Sequence, residues 1–261
     1  HTLGIAGIDV PDYFSVYDII GELGDSRLSL RYLDISNLSI SGWEGLDELV
    51  GLERLIAKNM TGGYITFDLT GLVELDLSGS EIDPNNITPF VLNNLGLKVL
   101  RLNDIDLSGT DVLSALEQNN TQLVELELRG AGISQLLNGN EAFWGGLNRL
   151  NVSGNHLTEL PFGLMSPVLQ YLDISHNNIA DLTGVPPGLK VFDAGFNPIE
   201  NANEIANMIW LTSLSLSNTN VSDVGFLFNF QFLERLDLSA INIVDKEMLI
   251  AAIAALQQLQ E

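Results

Sequence analysis

Cysteine is absent from the 261 residues, so disulfide staples, zinc–thiolate centres and thiol nucleophiles are excluded together. Basic side chains are scarce: 11 Lys and Arg stand against 34 Asp and Glu, a net charge of −23. Such a surface repels phosphate backbones and anionic lipid, which removes nucleic acid from the partners to be considered. Histidine is scarcer still, and His1, His156 and His176 are the whole supply of neutral-pH bases. No apolar run approaches the roughly 18 residues that a membrane-spanning helix needs. The longest candidate, Leu249 to Leu256, is short and alanine-rich, so no membrane insertion is expected. H-E-x-x-H, a phosphate loop and a dinucleotide fingerprint are all missing. The chain opens on His1-Thr2-Leu3, without initiator methionine or a basic-then-apolar leader, and so reads as a mature or excised piece of something longer.

What is present is a repeat. The pattern L-x-x-L-x-L recurs in ten copies whose first leucines are Leu30, Leu52, Leu72, Leu97, Leu123, Leu147, Leu169, Leu189, Leu211 and Leu233. The spacing runs from 20 to 26 residues. Within each copy, alternations such as Leu75-x-Leu77, Leu126-x-Leu128 and Leu236-x-Leu238 have the period of a short strand with one buried face. One strand cannot bury its leucines alone, so each copy must stack on the next, with the strands as neighbours in one parallel sheet.

This pattern, from Leu30 to Ile243, resembles the leucine-rich-repeat family. The 22-residue copies, such as the one opening at Leu211, look like those of bacterial internalins; the 20-residue copy with Val185-Pro186-Pro187-Gly188 looks like the short repeats of secreted bacterial effectors. The resemblance implies an α/β solenoid: a right-handed arc or horseshoe with a parallel β-sheet on its concave side and a mixed helical and extended convex side. It also implies asparagine at the ninth motif position, satisfying backbone groups in the turn, and Asn155, Asn177 and Asn197 match. Leu38, Met60, Ser80, Ile105, Ala131, Thr219 and Ile241 depart from it, so a continuous asparagine ladder is not expected. The longer copies leave room for helical turns, as over Asp111 to Glu117, whereas the prolines of the 20-residue copies favour extended chain and a change of curvature.

A solenoid needs atypical ends, and three parts are expected: an N-terminal helical cap over 1–29, a repeat domain over 30–243, and a C-terminal capping helix over 244–261. In the first cap, Pro11 suits the start of a helix in which Phe14, Tyr17, Ile20 and Leu23 recur before Gly24 stops it. In the last, Asp245 can cap a helix with Leu249, Ile253 and Leu256 along one stripe.

Side chains at motif positions three, five and seven project from the strand face in three columns. The fifth position reads Asp34, Ile56, Asp76, Arg101, Glu127, Asn151, Asp173, Asp193, Ser215 and Asp237, six of ten acidic. Like charges about 4.8 Å apart repel, so the column calls for a cation or a basic ligand beyond the tolerance that screening provides. The third position adds Tyr32, Arg54, Glu74, Glu125, Arg149, Tyr171, Ser213 and Arg235, with the tyrosines and arginines that anchor interfaces. Serines at the seventh position suit turn chemistry. Tyr171, Asp173, His176, Asp193 and Phe196 fall on adjacent copies and form the preferred contact patch. Phe196 stands where a short polar residue belongs, as an exposed anchor or as packing over the turn. The full set expected to meet a partner is Tyr32, Asp34, Asp76, Glu125, Glu127, Arg149, Tyr171, Asp173, His176, Asp193, Phe196, Arg235 and Asp237.

Catalysis is poorly supplied. Asp173, Ser175 and His176 are close in sequence, but they lie in a recurring turn without an oxyanion hole. Asp104-Ile105-Asp106-Leu107-Ser108-Gly109 opens like a calcium loop, yet its twelfth position is Ala115 and two of its residues occupy repeat-core slots. N-x-S/T triplets begin at Asn37, Asn59, Asn86, Asn119, Asn151 and Asn220, as chance allows in a chain rich in both residues, and establish no glycoprotein. The reading is of a monomeric, non-enzymatic recognition module without cofactor or metal. Its partner is a protein with a basic patch, and it is displayed outside the cell in the internalin manner. An intracellular scaffold or regulatory subunit is the alternative, as is the substrate arm of an enzyme whose catalytic domain lies elsewhere.

Overall fold

The computed structural model describes residues 2–7, 15–40, 42–61, 69–119, 122–137, 141–161 and 166–260. The chain divides into two compact units, His1–Ala131 and Gly132–Glu261.

The first unit carries six three-residue strands: β1 (Thr2–Gly4), β2 (Tyr32–Asp34), β3 (Arg54–Ile56), β4 (Glu74–Asp76), β5 (Val99–Arg101) and β6 (Glu125–Glu127). Each pairs in parallel with the next, and from β2 onward like motif positions face each other, as in Leu33↔Leu55 and Leu75↔Leu100. Leucines at motif positions four and six are sealed: Leu75, Leu77, Leu100, Leu102, Leu126 and Leu128 are all 0% exposed. Each such side chain contributes about 1.5–3 kcal/mol of burial. Helices α2 (Ile87–Asn93) and α3 (Val112–Asn119) fill the longer copies, the second where the sequence leaves room for it.

The second unit repeats the scheme with β7 (Arg149–Asn151), β8 (Tyr171–Asp173), β9 (Val191–Asp193), β10 (Ser213–Ser215) and β11 (Arg235–Asp237), again parallel and in motif register. Helix α4 (Glu141–Gly146) precedes β7, and the proline-containing 20-residue copy between β8 and β9 has no helix.

One backbone feature recurs at every copy. Motif position eight holds Asn37, Asn59, Gly79, Asp104, Gly130, Gly154, His176, Phe196, Asn218 and Ala240, and all ten have φ between 52° and 70°. The left-handed residue turns the chain out of its strand while its N–H reaches the next coil, as in His176 N to Gly195 O and Phe196 N to Ser217 O, both 2.9 Å or less. Asparagine, aspartate and glycine bear this conformation cheaply; phenylalanine does not.

The expected asparagines do their work. Asn177 Oδ1 accepts from Leu157 N, and Nδ2 donates to the carbonyls of Ile174 and Ser175. Asn155 and Asn197 repeat the arrangement. Ser80 stands in for asparagine, its hydroxyl donating to Ala57 O and accepting from Met60 N. Thr219 Oγ1 donates to Leu216 O, and three further copies close the ninth position with apolar bulk, Leu38, Met60 and Ile105 each being at most 3% exposed.

The ends differ from the sequence reading in detail. The segment 1–29 contributes β1 as well as a helix: Leu3, Ile5 and left-handed Gly7 occupy motif positions four, six and eight, and Ile5 N and Gly7 N bond to Asp34 O and Ser36 O. Helix α1 (Val16–Leu23) is capped by Ser15, reciprocally with Asp18, and ends at Gly24. It buries Val16, Ile19 and Ile20 while Tyr17 faces solvent; Pro11 and Phe14 lie outside the described residues. Helix α5 (Lys246–Ala255) is capped by Asp245 as expected, but its buried contacts are Ala252 and Leu256, and Ile253 is exposed. The reason is its seat: α5 packs against the 3-10 helix Gly225–Asn229 of the preceding copy and leaves Leu236 and Leu238 of the last copy half-buried.

Candidate functional site

The fifth motif position does two jobs. Its side-chain oxygen accepts the position-seven N–H, as in Asp34 to Ser36, Asp76 to Ser78, Asn151 to Ser153, Asp173 to Ser175, Asp193 to Gly195 and Asp237 to Ser239, all at 2.9–3.0 Å. The acidic column is therefore first a row of turn acceptors, a role the charge pattern alone did not reveal. Only the carboxylate atoms left over from that bond are free for other work. The position-seven serines are turn residues too: Ser36 Oγ accepts from Lys58 N, and Ser175 Oγ donates to Asp173.

In the first unit the acidic side chains are paired in part from within. Arg101 on β5 donates Nε to Glu125 Oε1 and Nη1 to Glu74 Oε1, both at 2.8 Å, with Asp76 and Glu127 at 4.0 Å. Burial alone would lower the Arg101 pKa, but the hydrogen bonds and charges of Glu74 and Glu125 outweigh it and hold the guanidinium above its ordinary value. Of the expected contact residues, Asp76, Glu125 and Glu127 are thus drawn around Arg101, and Asp76 is nearly sealed. Tyr32 and Asp34 lie on β2, where burial and then the charges of Asp34 and Glu74 raise the Tyr32 hydroxyl pKa. Asp104, the first residue of the calcium-like stretch, pairs with Arg129, and Asp106 Oδ1 accepts from Ser108 N.

In the second unit the column runs Asn151, Asp173, Asp193, Ser215 and Asp237 without a basic residue at that position. Burial raises the Asp193 pKa; its bond from Gly195 N opposes this, while the charges of Asp173 and Asp237 add to it. In the adjacent position-three column, the Arg149 guanidinium lies 3.5 Å over the Tyr171 ring. At the strand exits, His176 and Phe196 stack with centroids 4.0 Å apart and planes within 13°. Phe196 is 45% exposed, so its ring covers its neighbour's ring and faces solvent as well. Of the expected set, Arg149, Tyr171, Asp173, His176, Asp193 and Phe196 gather on β7 to β9 and their exits, with Arg235 and Asp237 on β11. The Asp173, Ser175 and His176 run does not assemble for catalysis, because the serine hydroxyl is given to the aspartate and the imidazole to Phe196. Among the described residues no group of three His, Asp or Glu side chains is placed to hold a metal ion.

Sequence reasoning placed Arg101 in the column without seeing it as the hub; its two flanking glutamates at position three were the available signal. It also passed over Trp210 and Phe232, which precede the motif leucines and so fall outside the three columns.

Comparison with known proteins agrees with this architecture. A sequence profile described as leucine-rich repeat matches residues 166–182 and 207–226. Gastrulation-defective protein 3 of Caenorhabditis elegans is 35% identical over 102 residues, which covers 36% of this chain and 14% of that protein. Among solved structures, an internalin of Listeria monocytogenes superposes with a TM-score of 0.64 at 23% identity, over 99% of this chain and 85% of that one. The leucine-rich-repeat ectodomain of a membrane receptor kinase of Arabidopsis thaliana, in complex with Casparian strip integrity factor 2, gives 0.60 at 18% identity, over 88% of this chain and 32% of the receptor's. At these identities the two structural likenesses establish the fold. Parallel strands in motif register, a sealed leucine interior and these likenesses make the chain a leucine-rich-repeat solenoid.

Proposed function

We propose that this domain is a non-catalytic recognition module that binds a protein partner carrying a basic patch, through the strand face of β8 and β9 and their exits. The observation that carries the reading is Phe196. Its backbone is left-handed at φ 56°, a conformation that costs a bulky residue about 1–2 kcal/mol, and its ring is 45% exposed. Seven of the other nine copies fill the same slot with asparagine, aspartate or glycine, so the turn does not need the ring. Strain kept at an exposed aromatic fits a contact anchor. Asp173 and Asp193 beside it, with no arginine between them, suit a cationic side chain arriving from outside. The likeness to an internalin and to a receptor ectodomain supports display outside the cell; action as a monomer is part of the proposal.

The test isolates proteins captured by the immobilised domain and measures each against wild type, Phe196→Asn, Tyr171→Ala and Asp173→Ala. A true partner loses about tenfold or more in affinity on at least the aromatic substitutions, and its binding weakens with salt. Affinity unchanged in all three variants would overturn the assignment of this face.

A further inference from the structure

A second exposed aromatic feature lies off the strand face, in the second unit. The residue just before the first motif leucine is glycine in five copies, Gly51, Gly71, Gly96, Gly146 and Gly188. A Cβ at Gly188 would stand 3.4 Å from Pro167 O, in contact with the preceding coil. Trp210 and Phe232 occupy the same position in two later copies, and their rings stack with centroids 5.5 Å apart and planes within 12°. Trp210 is 55% exposed and Phe232 45%, whereas Trp43 and Trp144 are sealed in the core. Phe228, also half exposed, stands nearby.

Phe232 is also a wall of a groove of about 420 Å³, which it shares with Phe228 and Phe230 and which Gln231, Gln257 and Gln258 border. That volume is in the range of small-ligand sites. Every residue lining it is uncharged, in a chain whose net charge is −23. The three amide side chains make no hydrogen bond to any described residue, so each offers donors and an acceptor. A basic peptide would find no carboxylate in this lining, and an anionic ligand would be repelled by the chain as a whole. A wholly apolar segment would leave the amides desolvated and unpaired, at about 1–3 kcal/mol each. The complementary ligand is neutral, apolar on one face and rich in hydroxyls around its rim.

We propose that this groove is a glycan site, in which a pyranose ring of a neutral oligosaccharide packs its C–H face on Phe228 and Phe232 and its hydroxyls pair with Gln231, Gln257 and Gln258. The site is separate from the strand face assigned above and stands whether or not that assignment holds.

Trp210 stacks on Phe232, a wall of the groove, and is exposed while the other two tryptophans are buried, so a hexasaccharide that runs past Phe232 covers it. The full chain is titrated with maltohexaose, cellohexaose and N-acetylated chitohexaose in turn, following acrylamide quenching of tryptophan emission. At least one sugar should shield Trp210 saturably at millimolar concentration or below, with little dependence on salt. Phe228→Ala and the double variant Gln257→Ala with Gln258→Ala should each weaken that sugar by about tenfold with the circular dichroism unchanged. Shielding by none of the three sugars would overturn the proposal, as would shielding that survives both variants. Shielding that appears on raising protein concentration alone would also overturn it, and would give the patch to a second copy of the chain.

Discussion

The imidazole of His176 and the ring of Phe196 lie 4.0 Å apart and nearly parallel, although each residue sits in left-handed backbone at φ 54° and 56°. Two adjacent coils thus carry aromatic side chains at the one turn position where the remaining copies favour small or amide residues. The pair joins consecutive coils through rings in addition to the backbone bond from His176 N to Gly195 O.

Replacing Phe196 with asparagine, the residue found at Asn37, Asn59 and Asn218, should therefore stabilise the domain. The strain relieved is about 1–2 kcal/mol, and an exposed ring contact returns only about 0.5 kcal/mol. Urea denaturation should show a net gain of about 0.5–1.5 kcal/mol with the slope unchanged. A loss of stability would mean that the stack, rather than an outside partner, keeps the phenylalanine in place.

Arg101 should be the most sensitive charge in the first unit. Arg101→Gln removes the donor shared by Glu74 and Glu125 and a cation 4.0 Å from Asp76 and from Glu127, leaving Glu74 and Asp76 only their contacts to Arg54 and Lys58. With the guanidinium 23% exposed, solvent screening moderates the loss to about 2 kcal/mol at neutral pH. The arginine pKa is raised on folding, so its contribution is present throughout the range below the free arginine value and is lost only as pH climbs through the folded one. The defect in the variant should shrink as pH falls through the carboxylate range and as salt is added. A defect independent of both would point to packing of the side-chain stem as the cause.

How much of this was legible beforehand varied with the kind of signal. Repeat period, strand positions and the asparagines at 155, 177 and 197 could be read because each leaves the same residue type at a fixed spacing. Strand β1 was missed because Leu3, Ile5 and Gly7 have no motif leucine before them, so the pattern begins partway through a copy. The helix stripe of α5 was misjudged because periodicity states that one face is buried without saying against what; the 3-10 helix Gly225–Asn229 claims Ala252 and Leu256 instead of Ile253. The double role of the fifth position was hidden for a different reason. An aspartate reads as surface charge in a sequence, and only the turn geometry makes Asp173 and Asp193 acceptors for the N–H groups of Ser175 and Gly195.

The ninth-position asparagines are worth more than ordinary polar residues. Asn177→Ala removes an acceptor for Leu157 N and the donors to Ile174 O and Ser175 O at a half-buried position, where water replaces them only in part. The expected loss is about 2–3 kcal/mol, and Asn177→Ser should recover part of it because Ser80 already performs the task with one hydroxyl. Thermal unfolding of the three proteins checks the order; serine no better than alanine would show that the turn needs both amide functions at once.

Asp193→Asn tests the remaining relationship, that between neighbouring carboxylates on β8, β9 and β11. Asparagine keeps an oxygen for Gly195 N, so the turn survives and only the charge goes. Burial, with Asp173 and Asp237 adding to it, raises the Asp193 pKa in the folded chain, so the folded state binds the proton more tightly than the unfolded one. Stability from this group is then fully present below the ordinary carboxylate value and declines as pH rises through the folded value, which makes the ionised aspartate a burden at neutral pH. Relief of like-charge repulsion across strands amounts to about 0.5 kcal/mol after solvent screening. The variant should therefore be the more stable protein at pH 7, by about that amount, and the two should converge as the solution is made acidic. A wild type more stable than Asp193→Asn at neutral pH would mean that the carboxylate already has a cationic companion within the fold, and the case for one supplied by a partner would fall with it.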